Sequence, residues 1–124
     1  MQSNQIIAVD FDGTCVEHDF PKVGQSAPYA ADTLRYLVDD GFLIILNTMR
    51  SGYHLLEAKE WFVENEIELY AIAQDPQQSD WTTSPKCFAH LYIDDRNVGC
   101  PMIQPVGFDS PVVDWIEIKE MLCV

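Results

Sequence analysis

Ile6-Ile7-Ala8-Val9-Asp10-Phe11-Asp12-Gly13-Thr14 is the stretch whose reading decides the fold. Four apolar residues, mostly β-branched, run directly into two carboxylates one residue apart. A run of this length and composition reads as a fully buried strand and is too short for a helix. In an open α/β sheet, ligands collect in the crevice outside the carboxyl ends of the strands. Asp10 therefore leaves its strand where chemistry is expected. Asp12 follows on the turn, where Gly13 lets the backbone change direction at little cost.

Working outward, residues 15–25 are irregular, with Pro21 and Gly24 as breakers. Ser26 as cap and Pro28 in the first turn predict a helix that Gly41 stops after Asp40. Ala31, Leu34, Leu37 and Val38 share its apolar face. Residues 42–47 read as a second buried strand closing at Thr48. Ser51-Gly52 opens a second helix with Leu55, Ala58, Trp61 and Phe62 on its apolar side. Residues 69–73 form a weaker third strand, and a polar loop follows over 74–85. Residues 91–93 are a fourth strand that runs into Asp94-Asp95. A fifth strand over 102–106 is confined to an edge by Pro101 and Pro105. A last helix over 114–122 carries Trp115, Ile118, Met121 and Leu122 on one side. Strands alternating with helices imply parallel pairing through right-handed crossovers. The expectation is a single domain over 1–124: an α/β, three-layer, doubly wound, Rossmann-like domain on a mainly parallel sheet of about five strands.

The chain of 124 residues is long enough for one domain, and its 48% hydrophobic content supports an ordinary core. It carries 20 acidic against 7 basic side chains, a net charge of −13. That balance leaves few cations for the basic patch that nucleic acid or an anionic membrane would require. The four cysteines, at 15, 87, 100 and 123, form no CxxC pair and match no zinc spacing, so free thiols are expected. The opening Met-Gln-Ser-Asn-Gln has no cationic region and the apolar run after it is short, which argues against a leader peptide and for a cytoplasmic protein. No stretch reaches transmembrane length.

Chemistry-bearing residues recur at the predicted strand ends. Asp10 and Asp12 follow the first strand, Thr48 the second, and Asp94 and Asp95 the fourth; Lys86 lies just ahead of the fourth. Carboxylates that converge in one crevice repel unless a cation joins them. A hard divalent ion with oxygen ligands answers this, and Mg²⁺ fits best because it keeps waters and leaves room for a substrate phosphate. Arg50, Lys86 and Arg96 lie beside these strand-end groups, a placement that suits an anionic ligand. Each group also has a plain structural reading. Thr48 could cap a helix, Lys86 could be an ordinary loop lysine, and Arg50 and Arg96 could as well pair with a local carboxylate as contact a substrate. His18, His54 and His90 show no ligand spacing, though His18 sits on the irregular stretch near Asp10. Trp81, in the polar loop, is the tryptophan to watch.

Asp-Phe-Asp-Gly-Thr at 10–14 resembles the first signature of the haloacid dehalogenase superfamily of aspartate-nucleophile phosphohydrolases. Leu46-Asn47-Thr48 resembles its second, Lys86 its third and Ile93-Asp94-Asp95 its fourth, in the family's order. The resemblance implies that Asp10 attacks phosphorus and also touches Mg²⁺. It implies that Asp12 serves as general acid and then general base, with its backbone carbonyl in the metal shell. Thr48 and the amide of Met49 would hold phosphate oxygens, Lys86 would bridge nucleophile and phosphate, and Asp94 and Asp95 would hold the metal. Lys86 precedes Asp94 by only eight residues, a compact spacing similar to that of the small 5′-nucleotidases of the superfamily, which also follow the acidic pair with Arg as Arg96 does here. Few residues separate Thr48 from Lys86, so no cap domain fits there. Residues 15–25 could form only a small flap.

The resulting expectation is a capless, Mg²⁺-dependent phosphomonoesterase acting through an aspartyl-phosphate. Its substrate would be a phosphorylated small molecule or an exposed phosphate on something larger, and an open site leaves room for closure by a neighbouring copy in a homo-oligomer. The alternatives are a receiver-like phospho-accepting domain, whose motif order differs, and a catalytically silent binding module.

Overall fold

The computed structural model describes residues 4–123; residues 1–3, part of the opening stretch read above for a leader, lie outside the described residues. The chain is α/β. Strand β1 (Ile6–Val9) is followed by α1 (Ala30–Asp39), β2 (Leu43–Leu46), α2 (Gly52–Glu64) and β3 (Ala71–Ile72). After a single 3-10 turn (Gln78–Asp80) come β4 (Leu91–Ile93), β5 (Met102–Ile103), β6 (Val112–Val113) and α3 (Trp115–Leu122). Strands β1 to β4 form one parallel sheet in the order β3-β2-β1-β4.

The register sets the site. Val9 is level with Leu46 on one side and Ile93 on the other. The Asp10 amide still donates to the Ile93 carbonyl (3.0 Å) and the Asn47 amide to that of Val9 (2.9 Å). Asp10, Asn47 and Asp94 thus leave the sheet side by side. The chain winds from β1 outward to β3, then reverses to place β4 on the far side of β1. Such a reversal opens a crevice at the strand ends, here between Asp10 and Asp94.

The predicted fifth strand is not part of this sheet. Met102–Ile103 pairs antiparallel with Val112–Val113 in a separate two-stranded ribbon, because Pro101 and Pro105 deny this segment a full ladder. The two helical layers expected around the sheet also reduce to one. Ile7, Val9, Ile44 and Leu46 point to the face that meets the buried residues of all three helices, among them Leu34, Leu37, Phe62 and Trp115. Full burial of each such side chain contributes about 1.5–3 kcal/mol. The opposite face, with Ile6, Ala8 and Ile45, is covered by Cys87 and Ala89 from the chain between β3 and β4. In a doubly wound domain that return crossing would carry a helix; here it carries only the 3-10 turn.

Helix α1 begins at Ala30 rather than at Ser26, with left-handed Tyr29 (φ 66°) ahead of it and no side-chain cap. The Ser26 hydroxyl is instead the acceptor for the Trp61 indole N–H (2.9 Å). By contrast, Asp114 caps α3 by accepting from the Glu117 amide (3.2 Å). All four cysteines stand unpaired. Among the described residues, no helix is long and apolar enough to cross a membrane.

Candidate functional site

The strand ends open into a cavity of about 370 Å³. Asp10, Asp12, Thr48, Asp94 and Asp95 line it, with Arg50 behind and Arg96 in front. His18, Phe20 and Met49 complete the rim. Every residue expected at the site is here except Lys86.

Asp10, Asp94 and Asp95 each offer an oxygen within 4.8 Å of the others. Thr14, fully buried, ties two of them together: its hydroxyl accepts from the Asp95 amide (3.1 Å) and lies within donating distance of Asp10 Oδ2 (3.1 Å) and Asp95 Oδ1 (3.3 Å). Its carbonyl in turn accepts from the Trp115 indole N–H (2.8 Å), which anchors the turn to α3. Asp94 accepts from the Arg96 amide (2.8 Å), which fixes the second carboxylate of the group. Gly13 makes room for the third. Its φ is +83°, and a Cβ there would lie 2.7 Å from the Asp95 carboxyl carbon. No residue with a side chain fits that position without displacing Asp95.

This crowding has an electrostatic consequence. The Asp10 carboxyl is pushed up to about 8, first by burial, then by its hydrogen bond with Asp95 and the charge of Asp94. Three carboxylate oxygens gathered this closely are a hard, all-oxygen donor set of the kind that suits Mg²⁺ or Ca²⁺. The fit to a divalent cation therefore rests on Asp10, Asp94 and Asp95. The side chain of Asp12 is not a fourth member. The neighbouring Cys15 thiol, completely buried, is also pushed up by burial and by Asp10 and Asp12, so it stays protonated and does not compete as a nucleophile.

Asp12 is engaged elsewhere. Its two carboxylate oxygens accept from Arg50 Nε (2.8 Å) and Nη2 (2.7 Å) in a bidentate pair. The Arg50 side chain is 1% exposed, so of the two readings of this residue the structure shows the local ion pair. Arg96 remains at the mouth, 83% exposed and 3.8 Å from Asp95. Thr48 lines the cavity while its hydroxyl accepts from the Arg50 amide (3.1 Å). Met49 is almost wholly exposed at the rim. His18 also lies on the rim, carried there by the irregular stretch.

Lys86 lies in an adjoining cavity of about 490 Å³, between Asn47 and Tyr92, that meets the first at Asp94. Its ammonium sits 5.7 Å from the centroid of the Tyr92 ring. The residue that places it was not singled out from the sequence. Gln78, 2% exposed, donates to the Lys86 carbonyl (2.9 Å) and accepts from the amides of Asp75 (3.1 Å) and Phe88 (3.0 Å). A glutamine in a polar loop gives no sequence signal of this. Trp81 is mostly exposed and meets Phe88 edge to face at 5.6 Å, outside both cavities' linings.

No protein-family model matches the chain, and no curated protein matches it. A solved structure does: a conserved protein coded by a locus of Bacteroides thetaiotaomicron, 39% identical, with a TM-score of 0.81 over 98% of this chain and 91% of that one. The chain belongs to the family of that Bacteroides protein. The family likeness runs the whole length of the fold, so it takes in the strand ends, the 3-10 return and the terminal ribbon together.

Proposed function

We propose that the chain is a capless member of the haloacid dehalogenase superfamily and a Mg²⁺-dependent phosphomonoesterase. The observation that carries this reading is the meeting of Asp10, Asp94 and Asp95 oxygens within 4.8 Å at the crevice beside Thr48. The order of the four motif-like segments along the chain supports it.

Asp10, Asp94 and Asp95 would hold the cation, which supplies charge neutralisation for the carboxylates and the phosphoryl oxygens. The Asp10 carboxylate attacks phosphorus while the bond from phosphorus to the ester oxygen breaks. The departing oxygen takes a proton from Asp12. Water then attacks phosphorus, Asp12 accepts its proton, the bond to Asp10 breaks, and inorganic phosphate leaves. Thr48 holds a phosphoryl oxygen, and Lys86 reaches toward the phosphate across Asp94. Such donors matter because charge lies on the equatorial oxygens during transfer.

Hydrolysis of p-nitrophenyl phosphate by the whole protein tests the proposal. The expected result is turnover with Mg²⁺, loss after chelation by EDTA, recovery on adding Mg²⁺, and none in Asp10→Asn. Turnover that survives Asp10→Asn would overturn the role of Asp10. One phosphoryl group taken from acetyl phosphate and held without turnover would favour a phospho-accepting domain instead.

A further inference from the structure

We infer that Arg50 is a positioning residue that fixes Asp12 and makes residues 17–25 part of the site. The inference rests on the phosphomonoesterase reading above and adds a residue to it.

Arginine carries five N–H donors in a rigid fork, and here all have acceptors. Nε and Nη2 hold the two oxygens of Asp12. The second N–H of Nη2 reaches the Lys22 carbonyl (2.8 Å), and Nη1 reaches the carbonyls of Pro21 (3.2 Å) and His54 (3.3 Å). The guanidinium lies between two rings, 5.2 Å from the centroid of Phe11 and 5.0 Å from that of Phe20. One planar group thus joins the first turn, the start of α2 and the irregular stretch. With every donor used, Arg50 has none left for a phosphate. Its action on the reaction runs through Asp12.

The irregular stretch is itself held at its other end. Glu17, 7% exposed, accepts at Oε2 from the amides of Asp109 (2.5 Å) and Ser110 (2.9 Å) and at Oε1 from Gln25 (3.3 Å). Gly24 packs against the Glu17 carbonyl so closely that a Cβ would collide with it. The segment is therefore a fixed wall, and Phe20 on that wall is both the cover of Arg50 and a lining residue of the cavity. A bidentate, fully bonded arginine holds the carboxylate of Asp12 in one orientation. The pair as seen is the ionised form of Asp12, the form left once its proton has passed to the departing oxygen, so the fork of Arg50 both orients the acid and matches the carboxylate that the proton transfer creates.

The test is a leaving-group series measured on the full chain with Mg²⁺: 2,4-dinitrophenyl phosphate, whose leaving oxygen needs no proton, against a simple alkyl phosphate, whose leaving oxygen does. The parameter kcat/KM reports steps through departure of that oxygen. Arg50→Lys is expected to lower it about 10²-fold for the alkyl ester, the scale of one general acid, and less than about 5-fold for the dinitrophenyl ester. The competitive inhibition constant of inorganic phosphate should stay unchanged, since Arg50 does not touch phosphate. Equal losses for both esters, or weaker phosphate inhibition, would overturn the inference. If Arg50→Lys does not fold, Phe20→Ala decides, because its ring is half exposed. It should bias the same ratio several-fold toward the dinitrophenyl ester, and an unchanged ratio would overturn the inference. A wild-type protein inactive on both esters would instead strike at the phosphomonoesterase reading itself.

Discussion

Two of the three cations expected beside the strand ends, Arg50 and Lys86, occupy opposite environments. Arg50 is sealed between two aromatic rings with five hydrogen bonds and a carboxylate partner. Lys86 stands in an open cavity, with a tyrosine ring 5.7 Å away and its backbone held by Gln78 and Ser84. The arginine flank was built to stay still, because its donors are spent within the protein. The lysine flank has a charge left over, which is the condition for meeting an anion from outside. A charge beside a motif thus carries two meanings, and the count of satisfied donors separates them.

The comparison can be broken most severely at Arg50. Arg50→Ala leaves Asp12 as a largely buried, unpaired carboxylate, for which about 3–5 kcal/mol of stability is the expected loss; denaturant unfolding measures it. Lys86→Ala should leave the unfolding midpoint within about 0.5 kcal/mol of wild type. On the proposed reading it lowers kcat with Mg²⁺ by 10²–10³-fold, roughly 2.7–4 kcal/mol of transition-state stabilisation. If Lys86→Ala destabilised the fold as Arg50→Ala does, the contrast would disappear. Gln78→Ala sharpens it further. Two backbone amides lose a buried acceptor, which should cost about 1–3 kcal/mol, with activity falling through a misplaced Lys86.

The last expected effect is one of pH. The Asp10 carboxyl lies at about 8 in the fold against an ordinary value of 3.8. Between those values the folded chain keeps a proton that the unfolded chain has lost, so stability of metal-free protein falls as pH rises from 3.8 toward 8 and levels off above it. Asp10→Asn should flatten that slope in thermal unfolding scans. Saturating Mg²⁺ should reverse it, since a cation favours the charged carboxylate.

The parallel strands and the convergence of their acids were legible because short apolar runs ending in Asp or Thr have few other readings. Asp10, Asn47 and Asp94 share a level because Val9, Leu46 and Ile93 share a register, and Thr48 follows one residue on. The fifth strand misled because Met102–Ile103 has strand-like residues but finds its partner in Val112–Val113, ten residues on. Ser26 looked like a cap because nothing local says that Trp61 takes its hydroxyl. The pairing of Asp12 with Arg50 spans 38 positions, and no periodicity records a contact of that kind. Gln78 is invisible for the same reason: its worth lies in three backbone partners and not in its chemistry.

The sheet face roofed by residues 74–90 has a consequence for motion. Its cover is non-helical chain apart from one 3-10 turn, pinned by a few side chains, Gln74, Gln78 and Tyr92. Segments of that kind open at a fraction of the global unfolding free energy. Backbone amides of the roof are therefore expected to exchange with deuterium well before those of β1 and α1. The molecule would breathe on the side that holds Lys86, while the wall behind Asp12 keeps its shape until the whole domain unfolds.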